Sequence, residues 1–356
     1  MVPDMEPPPA GPSKRRPAAA AGLASAGAAS TGTARRATTA RSATSARRAS
    51  TVRAVPGGPR RPGRLAGLAE LVERRPYEEH WVDIGGLALH CEVHGSGPRV
   101  LLFMHGILLD TQMNRRLAGD LAERGFRVVL LDLPGHGLSD KPRHASAHRM
   151  DSYARLVLAL MDELGLAEAA VGGVSLGANV ALQVAVRAPE RVVGLVAEMP
   201  VLEWAVPGAA MAFVPLLMGV HYAAPLVRLV AAGARRLPHT GIGVLDSVLT
   251  TLKLQPEEAA AVLHGMLVGP IAPTYEERHN LFVPTLVIGH KADVIHPFTD
   301  ADHLARQLPD ARLVQARSVV ELRLSPERLT AEIDRFLDDA WRGRFDDDRG
   351  AARRHA

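Results

Sequence analysis

With Cys91 as its only cysteine, the chain can form no intrachain disulfide and no cysteine-rich metal site. Cys91 reads as a small buried apolar residue, and so sparing a use of cysteine fits a reducing, cytoplasmic setting. Aromatic side chains make up only 4% of the residues, so a core must come from the aliphatic ones. Large apolar side chains are almost missing from residues 1–64, which are built of Ala, Arg, Ser, Thr, Pro and Gly. Such a stretch cannot bury enough surface to offset its ordering entropy, so it is expected to be a disordered tail. No His, Asp or Glu cluster has metal-ligand spacing, and no cofactor is implied. The glycines of Gly95-Ser96-Gly97 precede a strand instead of following it, which removes the dinucleotide-binding signal.

The formal charge of +4 is unevenly spread. Residues 1–64 hold about a dozen Lys and Arg against Asp4 and Glu6, leaving the remainder at about −6. A mildly acidic body behind a basic tail is not the footprint of a nucleic-acid-binding fold.

The ordered pattern starts near Tyr77. Trp81–Ile84 and Leu87–Val93 alternate like strands around a Gly85-Gly86 hairpin turn. Continuous apolar runs follow at Val100–Met104, Val128–Leu131, Ala169–Val174 and Val192–Val196, of the kind that both faces of a parallel sheet bury. Residues 148–164 place Met150, Tyr153, Ala154, Val157, Leu158, Met161 and Leu164 on one helical face. Two late strands, Pro284–Gly289 and Ala311–Val314, precede a final helix opened by Ser325-Pro326 that would bury Leu329, Ile333, Phe336, Leu337 and Trp341. Strands alternating with helices predict a mostly parallel sheet covered on both faces. The expected organisation is a tail at 1–64, a core at 65–199 and 283–342, a helical, lipophilic insertion at 200–282, and a flexible end at 343–356. Trp204–Leu226 holds no charged residue and is long enough to span a bilayer. Pro207, Pro215, Pro225 and His221 interrupt it between two sheet strands, so it is read as an apolar cap, and membrane association is not favoured.

Chemistry concentrates at Gly173-Val174-Ser175-Leu176-Gly177, where an apolar strand runs straight into the helical pattern Leu176–Val186, read as amphipathic. Glycines on either side permit a turn too sharp for Cβ atoms, and the turn presents Ser175 Oγ at the carboxyl edge of the sheet. The N–H of Leu176, at the positive end of that helix, is placed to receive a developing oxyanion. His105-Gly106-Ile107 directly follows another strand and can aim the Ile107 N–H at the same spot. Leu131–Asp140 reads as a structured Gly-rich loop at the same sheet edge.

Together with Gly289-His290-Lys291-Ala292-Asp293, these motifs in this order resemble the α/β-hydrolase family, in particular its capped, serine esterase-like members. The resemblance covers about residues 78–341. It implies Ser175 as nucleophile, Asp293 as the acid of a triad, Ile107 and Leu176 as oxyanion-hole donors, and a small hydrophobic acyl substrate. The chain departs from the family at the general base. The family places a His after the last strand, where this chain has Ser318, Val319 and Val320, and no His lies between His303 and His355. His296, three residues after Asp293, is the substitute best placed by location, and His290, His136 and Glu321 are further options. Two functions follow: a serine hydrolase of lipophilic esters or related acyl compounds, or a hydrolase scaffold that has lost its base and binds ligands.

Overall fold

The apolar run Val100–Met104 folds as the buried parallel strand expected of it and takes the middle of the sheet, with the other runs on either side. The computed structural model describes residues 55–56 and 75–354, apart from 292 and 294. The expected tail at 1–64 lies outside the described residues except for its two-residue strand β1, Val55–Pro56.

In chain order there follow β2 (Glu78–Ile84), β3 (Leu87–His94), β4 (Arg99–Met104), α1 (Arg115–Glu123), β5 (Phe126–Leu131), α2 (Met150–Glu163), β6 (Ala169–Val174), α3 (Leu176–Arg187) and β7 (Val192–Glu198). The helices α4 (Val206–Tyr222), α5 (Ala224–Ala234), α6 (Gly243–Leu252), α7 (Pro256–Val268) and α8 (Tyr275–His279) then separate β7 from β8 (Thr285–His290). The chain closes with α9 (Phe298–Gln307), β9 (Ala311–Ala316), α10 (Glu321–Leu324) and α11 (Glu327–Arg354). One sheet results, in the order β1-β2-β3-β5-β4-β6-β7-β8-β9. β2 and β3 are antiparallel to their neighbours, and every pairing from β5 to β9 is parallel. This is the α/β-hydrolase fold. The Gly85-Gly86 hairpin forms with both glycines at positive φ, a conformation that costs glycine nothing.

Period-two alternation splits the core into two layers. Leu102 and Met104 join the cluster under α2, α3 and α9, while Leu101 and Phe103 join the one under α1 and α11. Each fully buried Leu is worth about 1.5–3 kcal/mol relative to exposure. α3 departs from the amphipathic pattern: Leu176 through Ala185 are all buried. α2 packs over its outer side, which the small residues Ala178, Ala181 and Ala185 permit. α11 likewise runs on past the expected boundary at 342. Its apolar spacing ends at Trp341, but Arg344 still donates to Glu168 Oε2 at 2.7 Å.

The long uncharged stretch divides into α4 and α5, which meet at a 92° bend. No single described helix is long and apolar enough to cross a membrane. α4 buries only Val220, so most of its apolar side chains face outward and not into a core.

Candidate active site

β6 ends at Val174, and the next residue turns the chain abruptly. Ser175 sits at φ +51°, ψ −108°, a strained conformation of the kind worth about 1–3 kcal/mol. The structure holds it from both sides: Ser175 N–H donates to Glu198 O at 2.8 Å and its carbonyl accepts from Asn179 N–H at 3.0 Å. Close approach explains the flanking glycines. A Cβ on Gly173 would lie 2.5 Å from the Gly177 carbonyl carbon, and one on Gly177 would lie 2.5 Å from Met104 O.

The loop after β8 brings Asp293 and His296 to this elbow. Asp293 Oδ1 accepts the N–H groups of Ile295 at 2.9 Å and His296 at 3.0 Å, closing a tight local turn. That turn folds the His296 ring back, so Nδ1 reaches Asp293 Oδ2 at 2.8 Å. A carboxylate only accepts, so Nδ1 carries the proton and Nε2 keeps its lone pair. Nε2 lies 2.8 Å from Ser175 Oγ, which can donate to it. Burial pushes the Asp293 carboxyl up, but the His296 ring and the two N–H groups outweigh it and hold its pKa at about 2.

Leu176 opens α3, so its N–H has no carbonyl partner within the helix and points along the positive end of the dipole. Ile107 lies in the turn after β4, where Leu109 N–H donates to Gly106 O at 3.2 Å and Leu108 takes φ +55°. His105 pins this turn. Its Nε2 accepts Leu133 N–H at 3.0 Å, so its Nδ1–H donates to Gly106 O at 2.8 Å. With both nitrogens engaged, His105 is a strut and not a free base. A leucine gives no warning of a left-handed backbone, so Leu108 had no signal in the sequence.

The remaining histidine and glutamate options are committed elsewhere. The His136 ring lies against that of His105, centroids 4.7 Å apart and tilted by 48°, and donates from Nδ1 to Pro134 O at 3.0 Å. Burial and the adjacent His105 ring push its pKa well below the usual imidazole range. His290 donates from Nδ1 to Ser318 O at 2.9 Å, so it supports the loop where the family places its histidine. Burial lowers its pKa too. Glu321 is paired with Arg328 at 2.8 Å and also accepts from Arg317 N–H. None of the three is hydrogen-bonded to Ser175 among the described residues. Val319 and Val320, in the family's histidine region, are exposed.

Buried charges brace the site, and sequence reasoning missed them. Glu198, the lone charge ending an apolar strand, pairs with Arg323 at 2.8 Å. Asp132 accepts from Thr111 N–H and Leu138 N–H and binds His90 Nδ1 at 2.8 Å. Burial disfavours charge on His90, yet the Asp132 carboxylate outweighs it and raises the His90 pKa. Asp300 accepts the N–H groups of Leu202, Trp204 and Ala205, which ties the start of the α4–α8 insertion to α9. Among the described residues no group of three or more His, Cys, Asp or Glu could hold a metal.

Residues 99–218 match the family model described as alpha/beta hydrolase fold. The chain is 29% identical over 238 residues to the pimeloyl-(acyl-carrier protein) methyl ester esterase of Nitrosomonas europaea, covering 64% of this chain and 90% of that protein. It is 38% identical over 121 residues to the dihydrolipoyllysine-residue acetyltransferase component of the acetoin cleaving system of Cupriavidus necator, but spans only 32% of that protein and 34% of this chain. Among solved structures it is similar to the enol-lactonase of Burkholderia xenovorans, with a TM-score of 0.59, 21% identity and coverage of 72% of this chain and 99% of that one.

Proposed function

We propose that this chain, which belongs to the α/β-hydrolase fold family, is a serine hydrolase of esters or related acyl compounds with a lipophilic portion. The observation that carries the reading is the continuous relay from Asp293 Oδ2 through the His296 ring to Ser175 Oγ, each link 2.8 Å. In this reading Ser175 Oγ attacks the acyl carbon while His296 Nε2 takes its proton. The resulting imidazolium is stabilised by the Asp293 carboxylate. The N–H groups of Leu176 and Ile107 receive the oxyanion. His296 then returns the proton to the leaving group, and water reverses the sequence to release the acid. The α4–α8 insertion serves as the cap that excludes water and shapes an apolar acyl pocket.

The alternative, a ligand-binding scaffold without a base, rested on the missing histidine after β9. The His296 ring on the β8 loop, 2.8 Å from Ser175 Oγ, weighs against it. The test is turnover of short- and medium-chain acyl esters together with fluorophosphonate labelling of the purified protein. Labelling at Ser175 that vanishes in Ser175→Ala is expected. Absence of both turnover and labelling would overturn the reading.

A further inference from the structure

α4 is apolar on all sides, yet it is not buried. Met211 is 79% exposed and Tyr222 75%, and in α5 Leu229 is 69% exposed. A helix without a polar face belongs in a protein core or in lipid, and a contiguous exposed apolar patch marks a binding surface. The inner side of α4 has a different task. Phe213 and Leu217 pack against the buried cluster of Val220, Leu254, Ala259 and Leu263, and so do Ile107 and Leu108 of the turn that offers the second oxyanion donor. One helix therefore packs into the same cluster as the oxyanion turn and presents its other side outward.

The charge of this surface favours one occupant. Residues 204–245 contain Arg228, Arg235 and Arg236 and no Asp or Glu. Arg228 is paired with Glu257, while the Arg235 side chain donates to the Lys253 carbonyl and makes no ion pair among the described residues. A second copy bound about a two-fold axis would set this patch against itself and oppose like charges with no acid in the stretch to relieve them. An anionic phospholipid surface supplies both the apolar layer and the negative charge. Trp204 and Tyr222, exposed near the two ends of α4, are side-chain types that settle at the headgroup level. The 92° bend between α4 and α5 suits helices that lie in an interface.

We propose that the α4–α5 surface docks on anionic phospholipid membranes, with α4 dipping into the boundary between headgroups and acyl chains. Docking uses no step of the acyl chemistry, so it goes beyond the proposed hydrolase activity and is separable from it. It also places the helix that shares a cluster with the oxyanion turn against the phase where lipophilic esters collect.

The test is flotation of the full chain with vesicles of phosphatidylcholine alone or mixed with phosphatidylglycerol. Wild type and Ser175→Ala should both float with the mixed vesicles, and less with phosphatidylcholine alone. A Met211→Glu/Leu216→Glu/Leu229→Glu variant should partition at least about tenfold less, since each acid opposes insertion. Its thermal unfolding and its turnover of a soluble short-chain ester should match wild type. Arg235→Gln/Arg236→Gln should weaken binding to the mixed vesicles and flatten its salt dependence. Wild type that stays in the buffer, or a triple variant that floats equally well, would overturn the proposal. So would a wild-type dimer that ignores vesicles and is dispersed by the triple variant, which would assign the face to a second copy. Flotation of a wild type that shows neither ester turnover nor fluorophosphonate labelling would sink the hydrolase reading and support docking.

Discussion

Asp293 holds His296 twice, by its backbone N–H through Oδ1 and by its ring through Oδ2. Carboxylate and imidazole thus stand on one short loop, and one carboxylate sets both the fold of that loop and the tautomer of the ring. A third partner for the carboxylate, Ile295 N–H on Oδ1, makes the turn part of the same device.

If this loop supplies the base, Ser175→Ala, His296→Ala and the double variant should lose activity to a similar extent. Each should reduce kcat by roughly 10⁴-fold or more, because members of a relay act as a unit. Steady-state kinetics on a soluble ester checks this. Additive losses in the double variant would contradict a shared role.

Asp293 also predicts a pH dependence of stability. Its pKa falls from an ordinary 3.8 to about 2 in the folded chain. A depressed carboxyl stabilises the fold above its unfolded value and loses that contribution as pH falls through its folded one. The window is therefore about pH 4 down to pH 2, and solvent at the open edge limits the effect to roughly 1 kcal/mol. Denaturant titrations across that window should show a shallower acid slope in Asp293→Asn than in wild type.

Glu92 is fully buried, where Arg115 grips both of its oxygens at 2.7 and 2.9 Å. Burial pushes its carboxyl up, but His94 and Arg115 beside it hold the pKa at about 2. Arg115→Met leaves that charge buried without its fork and should cost about 3–5 kcal/mol in chemical denaturation. Adding Glu92→Gln to the same chain should recover a large part of the loss, since no buried charge remains.

Two glycines should respond oppositely to alanine. At Gly177 the new methyl meets Met104 O at 2.5 Å, so Gly177→Ala should cost about 1–3 kcal/mol and displace the elbow. At Gly219, within α4, nothing lies within 4 Å, and Gly219→Ala should be neutral or gain up to about 1 kcal/mol of helix propensity. Thermal unfolding and ester turnover of both variants check the contrast.

The elements nearest Ser175 were legible because their causes are local. Apolar runs of strand length, glycines that permit a sharp turn, and a helix opening directly behind them act over a few residues. The sequence pattern therefore specified the strand–turn–helix at Gly173–Gly177 and the loop that carries Asp293. The burial of α3 on every side was not legible, because α2 lies across it and periodicity cannot register a second neighbour. Glu198 and Arg323 escaped for a similar reason: they are 125 residues apart, and neither is marked until the chain folds.

What the sequence determined by itself is the elbow at Ser175, the order of the motifs and the absence of a histidine after the last strand. Only the tertiary structure decided which histidine faces Ser175, because that contact spans 121 residues and depends on where the β8 loop lands beside the β6 turn. It also decided that α4 shows its apolar side outward. Hydropathy states what a side chain prefers, and only the folded chain shows whether a neighbour is there to cover it.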